Sequence, residues 1–176
     1  MAMDLPKRKR IRLQAYDYST PGAYFVTICT RDRRCILSDI AVGAAISRPP
    51  ELRLTRCGEI VALAIRNIPS VYPNVSVDHS VIMPNHVHLI LRLHDDDENR
   101  RMISAPTAST IVAQMKRWAS RQAGTALGQR SYHEHVIRNE SDYREIREYI
   151  ENNPARWIED RYYIEGEHSA KEKSID

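Results

Sequence analysis

The stretch from Val81 to Leu93, V-I-M-P-N-H-V-H-L-I-L-R-L, is the most apolar run of the chain, and it carries two histidines one residue apart. In an extended strand successive side chains point to opposite faces, so His86 and His88 project together with Ile90 and Arg92. Val87, Leu89, Leu91 and Leu93 take the other side. One face therefore has to lie on a core, and the opposite face carries two imidazoles close enough to share one ion or one phosphate. Pro84 has no amide hydrogen, so strand pairing is expected to begin near Asn85, with the histidines at its start. Taken alone, two histidines on a strand are more often ordinary half-buried residues than ligands. A metal role needs a third partner from elsewhere in the chain.

At 176 residues the chain is long enough for one core of ordinary size, and nothing in it divides it in two. Its 26 Lys and Arg against 23 Asp and Glu give a formal charge of +3, too mild to argue for a polyanionic partner by itself. No apolar run approaches the ~20 residues that cross a bilayer, and no apolar segment follows the first basic residues. A cytoplasmic protein with no membrane partner is expected. Cys29, Cys35 and Cys57 are odd in number and widely spaced, which suggests reduced thiols and neither a disulfide framework nor a zinc knuckle.

Taken in order, the chain begins with a basic run, Lys7, Arg8, Lys9, Arg10 and Arg12, which reads equally as a solvated tail or as an arm that neutralises phosphates. Ala23 to Thr30 alternates, Tyr24, Val26 and Ile28 against Phe25, Thr27 and Cys29, as a strand does. Ile36 and Leu37 suggest a short return strand, and Ser38 to Arg53, with Pro49 and Pro50, a surface excursion. Ile60, Val61, Ala64, Ile65 and Ile68 predict a helix over 58–68 that Pro69 stops. Val75, Val77, His79 and Val81 alternate into the histidine strand.

The acidic run after His94 reads as a solvated loop rather than a metal site. Thr107 to Ala123 predicts a helix with Ile111, Met115, Trp118 and Gln122 on one side, and Lys116, Arg117 and Arg121 elsewhere on its surface. A basic stripe beside an aromatic can bind single-stranded nucleic acid, although a solvated face is the commoner meaning. His133 and His135 fall in an extended segment and read as surface or nucleic-acid contacts. Asn139 or Ser141 can cap a last helix that runs to Pro154, where Tyr149 and Asn153, four apart, share a face. The proline is expected to push Asn153 out of the α region. Strand, helix, strand, strand, helix, strand, helix is an α+β order with antiparallel strands.

M-P-N-H-V-H followed by Y-I-E-N-N-P resembles the REP-associated tyrosine transposases, relatives of the single-tyrosine insertion-sequence transposases among the HUH endonucleases. Tyr16 to Thr30, Ile137 to Asn139 and Tyr149 to Trp157 extend the resemblance over roughly Tyr16 to Tyr163. It implies one ferredoxin-like or RRM-like domain over 1–176, with a basic arm (1–15) and a flexible tail (165–176). It assigns His86, His88 and Asn153 to a divalent metal, Mg2+ or Mn2+, and Tyr149 to the nucleophile. The implied substrate is single-stranded DNA beside hairpin-forming palindromic repeats, joined through a 5′-phosphotyrosine. One departure is visible: Gly128 stands where many relatives carry a tryptophan, which removes a stacking contact to DNA.

The residue types suit that chemistry. A phenol is a weak nucleophile near neutral pH and a phosphodiester a weak electrophile, so a divalent cation that polarises phosphorus helps the second problem. Lys7, Arg8, Lys9, Arg10, Arg12, Lys116, Arg117 and Arg121 can follow phosphates, with Trp118 available for stacking. A domesticated protein that binds structured repeats without cutting them is the alternative, and intact His86, His88, Tyr149 and Asn153 argue against it. A histidine-triad hydrolase would want a third alternating histidine where Ile90 stands. Tyr143, Tyr132, Tyr162 and Tyr163 compete with Tyr149 for the nucleophile, and monomer and homodimer are both open.

Overall fold

A computed structural model describes residues 20–41, 51–95 and 106–163. Its framework is a four-stranded antiparallel sheet made of β1 (Gly22–Cys29), β4 (Val75–Ile82), β5 (His86–Leu93) and β6 (His133–Ile137). In space the strands run β4-β5-β1-β6. With helix α1 (Arg56–Arg66) between β1 and β4, and helix α3 (Ala108–Ala123) between β5 and β6, this is the β-α-β-β-α-β arrangement of ferredoxin-like folds. The expected α+β class and antiparallel sheet are therefore present. Among the described residues, no helix is long and apolar enough to cross a membrane.

Alternation along β1 and β5 separates the two sides of the sheet. Tyr24, Val26, Ile28, Val87, Leu89, Leu91 and Leu93 face α1 and α3 in the main core. Ala23, Phe25 and Ile90 face the other way and meet Ile150 of α4 (Glu140–Asn152), the helix that follows β6. Asn139 caps α4, its Oδ1 accepting from the Asp142 amide at 2.9 Å. Ile150 is the only residue of α4 that is fully buried, contributing roughly 1.5–3 kcal/mol, and Tyr143 and Ile146 pack half-buried beside it. Polar ties add to it. Asp78 Oδ2 accepts from Arg92 Nε at 2.7 Å and from the Tyr143 hydroxyl at 3.1 Å, and His135 pairs with Asp142 at 2.9 Å.

Several expectations are corrected. The alternation of Val75, Val77, His79 and Val81 is broken by a bulge at Asp78, where the register with β5 shifts. Val75 and Val77 go to the main core, whereas His79 and Val81 face α4. One extra residue reverses a strand's faces, and here it turns Asp78 and His79 together toward Tyr143. The region expected as a surface excursion contributes a second, two-stranded sheet, β2 (Ser38–Ala41) with β3 (Glu51–Leu54). Pro69 does not stop α1, which ends at Arg66; it lies in the first turn of a short helix, α2 (Ile68–Val71), where its missing amide costs nothing. On α3 the buried residues are Ala108, Ile111, Val112, Met115 and Ala119, while Trp118 is half-buried and Gln122 exposed.

The start of α1 packs closely on the segment after β1. Thr55 caps it, its Oγ1 accepting from Gly58 N at 3.2 Å and donating to Ile36 O at 2.6 Å. A Cβ on Gly58 would lie 1.9 Å from the Leu37 carbonyl oxygen, a backbone atom that also accepts from Thr55 N at 2.9 Å. Gly58→Ala is expected to cost about 3 kcal/mol or more, because only movement of one backbone segment relieves the overlap. Urea unfolding followed by far-ultraviolet circular dichroism measures it, the midpoint falling at unchanged slope.

Candidate active site

His86 opens β5 opposite Cys29, and His88 lies opposite Thr27. Both imidazoles have no solvent exposure. Phe25 stacks on His88 at 5.3 Å, and the segment after α4 brings Tyr162 to 4.6 Å and Trp157 to 5.9 Å from the His86 ring. The two imidazole centres are 4.5 Å apart. Burial penalises the charged form, so His86 is pulled down to about 4 and His88 to about 2, the latter also by the neighbouring His86. Both are neutral near pH 7 and each keeps a ring lone pair.

The hydrogen bonds around them determine where those lone pairs point. Asn85 Nδ2 donates to the Tyr162 carbonyl at 2.7 Å, which orients the amide so that Oδ1 accepts from His86 Nδ1 at 2.9 Å. His86 Nε2 is therefore the unprotonated nitrogen, and it is buried without a hydrogen-bond partner. His88 Nδ1 meets Thr27 Oγ1 at 2.8 Å, and its Nε2 faces the Tyr149 hydroxyl at 3.3 Å.

Helix α4 delivers the other groups. Tyr149 is 40% exposed, its ring edge-on to Phe25 and 5.1 Å from His88. Its hydroxyl also lies 3.3 Å from Asp160 Oδ2. Burial and then the Asp160 charge push this phenol up to about 12, against the lowering influence of Arg161 and Asn153. Asn153 is 2% exposed; its Nδ2 donates to Asp160 Oδ2 at 3.0 Å and its Oδ1 is buried without a partner. The expected displacement of Asn153 from the α region does not occur. Its φ of −57° and ψ of −42° are helical, and Arg156 N donating to the carbonyls of Asn152 and Asn153, both at 3.2 Å, carries the turn past Pro154.

Two buried acceptors without partners, His86 Nε2 and Asn153 Oδ1, are atoms expected to hold a metal. An orphaned buried acceptor is costly unless something positive completes it, so these residues fit a bound cation. Asp160, which sequence reasoning passed over, joins them: its carboxylate and ring nitrogens of His86 and His88 lie within 4.8 Å of one another and could hold a metal ion. Its Oδ1 is fixed by the Tyr162 amide at 2.7 Å. Two imidazoles, an amide oxygen and a carboxylate form a mixed nitrogen and oxygen set that suits a divalent first-row or alkaline-earth cation.

The other expected contact residues are not gathered here. Lys7, Arg8, Lys9, Arg10 and Arg12 lie outside the described residues. Lys116, Arg117, Trp118 and Arg121 belong to α3, on the sheet face opposite His86 and His88. Lys116 is engaged within the protein, its Nζ donating to the Gln129 carbonyl at 2.6 Å. Its stem lies 3.3 Å from where a Cβ on Gly128 would be, so Lys116 fills the space beside that glycine. His133 shares the histidine face, since Thr27 pairs with His88 on one side and with His133 on the other.

No protein-family profile matches the sequence. An uncharacterized protein of Haemophilus influenzae is 34% identical over 90% of this chain and 94% of its own. The structure of a REP-associated tyrosine transposase bound to a REP hairpin superposes with a TM-score of 0.60 at 24% identity, over 83% of this chain and 74% of that one. The resemblance read from the motifs thus holds at the level of the fold.

Proposed function

Since the chain belongs to one family with the Haemophilus influenzae protein and has the fold of a REP-associated tyrosine transposase, we propose that it is a metal-dependent single-stranded DNA endonuclease and strand transferase. The observation that carries this reading is the Tyr149 hydroxyl 3.3 Å from His88 Nε2, beside the unpartnered His86 Nε2 and Asn153 Oδ1. His86, His88, Asn153 and Asp160 would hold the cation. When bound, Mg2+ or Mn2+ polarises the phosphodiester and offsets charge as the phosphorus is attacked.

Tyr149 Oη forms the new ester bond to phosphorus, the bond to the 3′ oxygen breaks, and a proton restores that oxygen to a hydroxyl. The phenolic proton has an acceptor at hand in Asp160 Oδ2. Phe25 and His88 hold the ring in place, so attack needs little reorganisation of the side chain. The phosphodiester energy is kept in the 5′-phosphotyrosine, and a second 3′ hydroxyl reverses the step. The substrate is single-stranded DNA flanking a hairpin, in keeping with the hairpin bound by the transposase of like fold.

Incubation of the protein with Mn2+ and labelled hairpin oligonucleotides from its own genome is expected to give a covalent adduct on a denaturing gel, absent with chelator. Binding without an adduct across all such hairpins would sink the proposal in favour of a non-cleaving repeat-binding protein.

A further inference from the structure

Next to the candidate metal ligands is a cluster of arginines that the chemistry above leaves unused. Tyr162 is 9% exposed and held at both ends, its carbonyl accepting from Asn85 Nδ2 and its amide donating to Asp160 Oδ1. The Arg161 guanidinium lies 4.6 Å from the centre of the Tyr162 ring and donates to its hydroxyl at 2.6 Å. Arg33, from the turn after β1, lies 5.5 Å from the same ring centre. That ring is also 4.6 Å from the His86 imidazole and 6.2 Å from that of His88, so one side chain adjoins both cations and both candidate metal-ligating histidines.

The turn that presents Arg33 is strained. Asp32 and Arg33 have φ of 57° and 56°, the left-handed region that non-glycine residues avoid, and they are consecutive. Such a conformation persists only where its surroundings impose it. Here Thr30 imposes it from the site itself: its amide donates to the Asn85 carbonyl at 2.8 Å, and its hydroxyl to the Arg34 carbonyl at 2.8 Å. The Arg31 amide donates to Leu127 O at 2.9 Å. Asp32, meanwhile, faces Arg31 at 3.8 Å, so the carboxylate in this turn is turned to a different arginine.

Both side chains are exposed, and the guanidinium of Arg161 is close enough to the site to disfavour protonation of His86, His88 and His133. A strained turn, an aromatic platform and two exposed forked donors around Tyr162, of which Arg161 also acts on the Tyr149 phenol, form a site for an anion. We propose that Arg33 and Arg161, held around Tyr162, form a phosphate clamp for the backbone of single-stranded DNA next to the cleaved bond. The clamp deepens the function proposed above and rests on it for the identity of the ligand.

The test is binding, measured by fluorescence anisotropy with a labelled hairpin oligonucleotide carrying a single-stranded flank, in a Tyr149→Phe background over a range of KCl concentrations. Arg33→Gly and Arg161→Gln are each expected to weaken binding about tenfold, and to lower the slope of log affinity against log salt by about 0.7, as loss of one single-strand phosphate contact does. If both hold one phosphate, the double variant loses less than the product of the two. Arg33→Gly is expected to keep or raise the thermal midpoint, because glycine accepts a positive φ without strain. Unchanged affinity and slope in both variants would overturn the clamp, as would losses that track a lowered thermal midpoint. No adduct from the wild type, with the slope changes intact, would remove the nuclease reading and leave the clamp standing.

Discussion

Tyr149→Phe is expected to abolish the covalent protein–DNA adduct, a loss of roughly a thousandfold or more, while leaving the fold and hairpin affinity in place. The substitution removes one oxygen. Both hydrogen bonds of that oxygen, to His88 Nε2 and Asp160 Oδ2, are long at 3.3 Å, and the side chain is 40% exposed. The ring contacts to Phe25 and His88 survive, so unfolding free energy should change by no more than about 1 kcal/mol. Denaturing gels read the adduct, anisotropy the affinity, and urea midpoints the stability. The rival tyrosines supply the controls. Tyr143 donates to Asp78, under the Arg92 guanidinium, and ties α4 to the sheet. Tyr162 lies against His86, but its hydroxyl accepts from Arg161. Tyr143→Phe should therefore keep the adduct, and Tyr162→Phe, which frees Arg161 from that hydroxyl, should keep it at saturating DNA; an adduct lost in either under those conditions but kept in Tyr149→Phe would move the nucleophile.

That His86 and His88 share one face of a strand, and Tyr149 and Asn153 one face of a helix, was legible in the sequence because each signal was local and periodic. Alternation over β5 placed His86 and His88 together, and a spacing of four placed Tyr149 and Asn153 on one side of α4. What brings the halves together is not local. Phe25, Ile90 and Ile150 dock the helix on the histidine face, and only strand order decides that they share it. Asp160 had no signal of its own: it sits in an irregular turn whose course is set by Trp157 and Tyr162 packing on His86. The bulge at Asp78 was equally invisible, since a bulge is a property of two paired strands rather than of one. Lys116 read as a surface cation because composition cannot show that the Gln129 carbonyl lies within its reach. At Asn153 the steric preference of a pre-proline residue was real but small, and the continuing turn outweighed it.

Without metal, the protein is expected to lose stability steeply as pH falls from about 6.5 toward about 4. In the unfolded chain a histidine titrates near 6.5, whereas His86 in the folded protein titrates at about 4 and His88 at about 2. Throughout that interval the unfolded chain takes up protons that the folded one refuses, so the two histidines together withdraw up to about 3 kcal/mol per pH unit. His133, lowered by burial, acts in the same direction. Asp78 and Asp142 are held below the usual carboxylate value, so their contributions are lost only under more acid conditions. Saturating Mn2+ should raise the thermal midpoint, and the increment should stay nearly constant from pH 8 to pH 5, because the folded site is already deprotonated over that range. A site made of exposed histidines would lose its metal as pH falls below about 6.5. His86→Gln should remove most of the Mn2+ increment and also flatten the pH dependence of the metal-free protein, since one substitution deletes both a ligand and a buried proton acceptor. Urea midpoints between pH 8 and pH 4, with chelator or with Mn2+, measure both effects. A flat metal-free curve would show that the imidazoles are not buried as neutral groups, and an increment that vanishes near pH 6 would show that protons and metal compete for an open site.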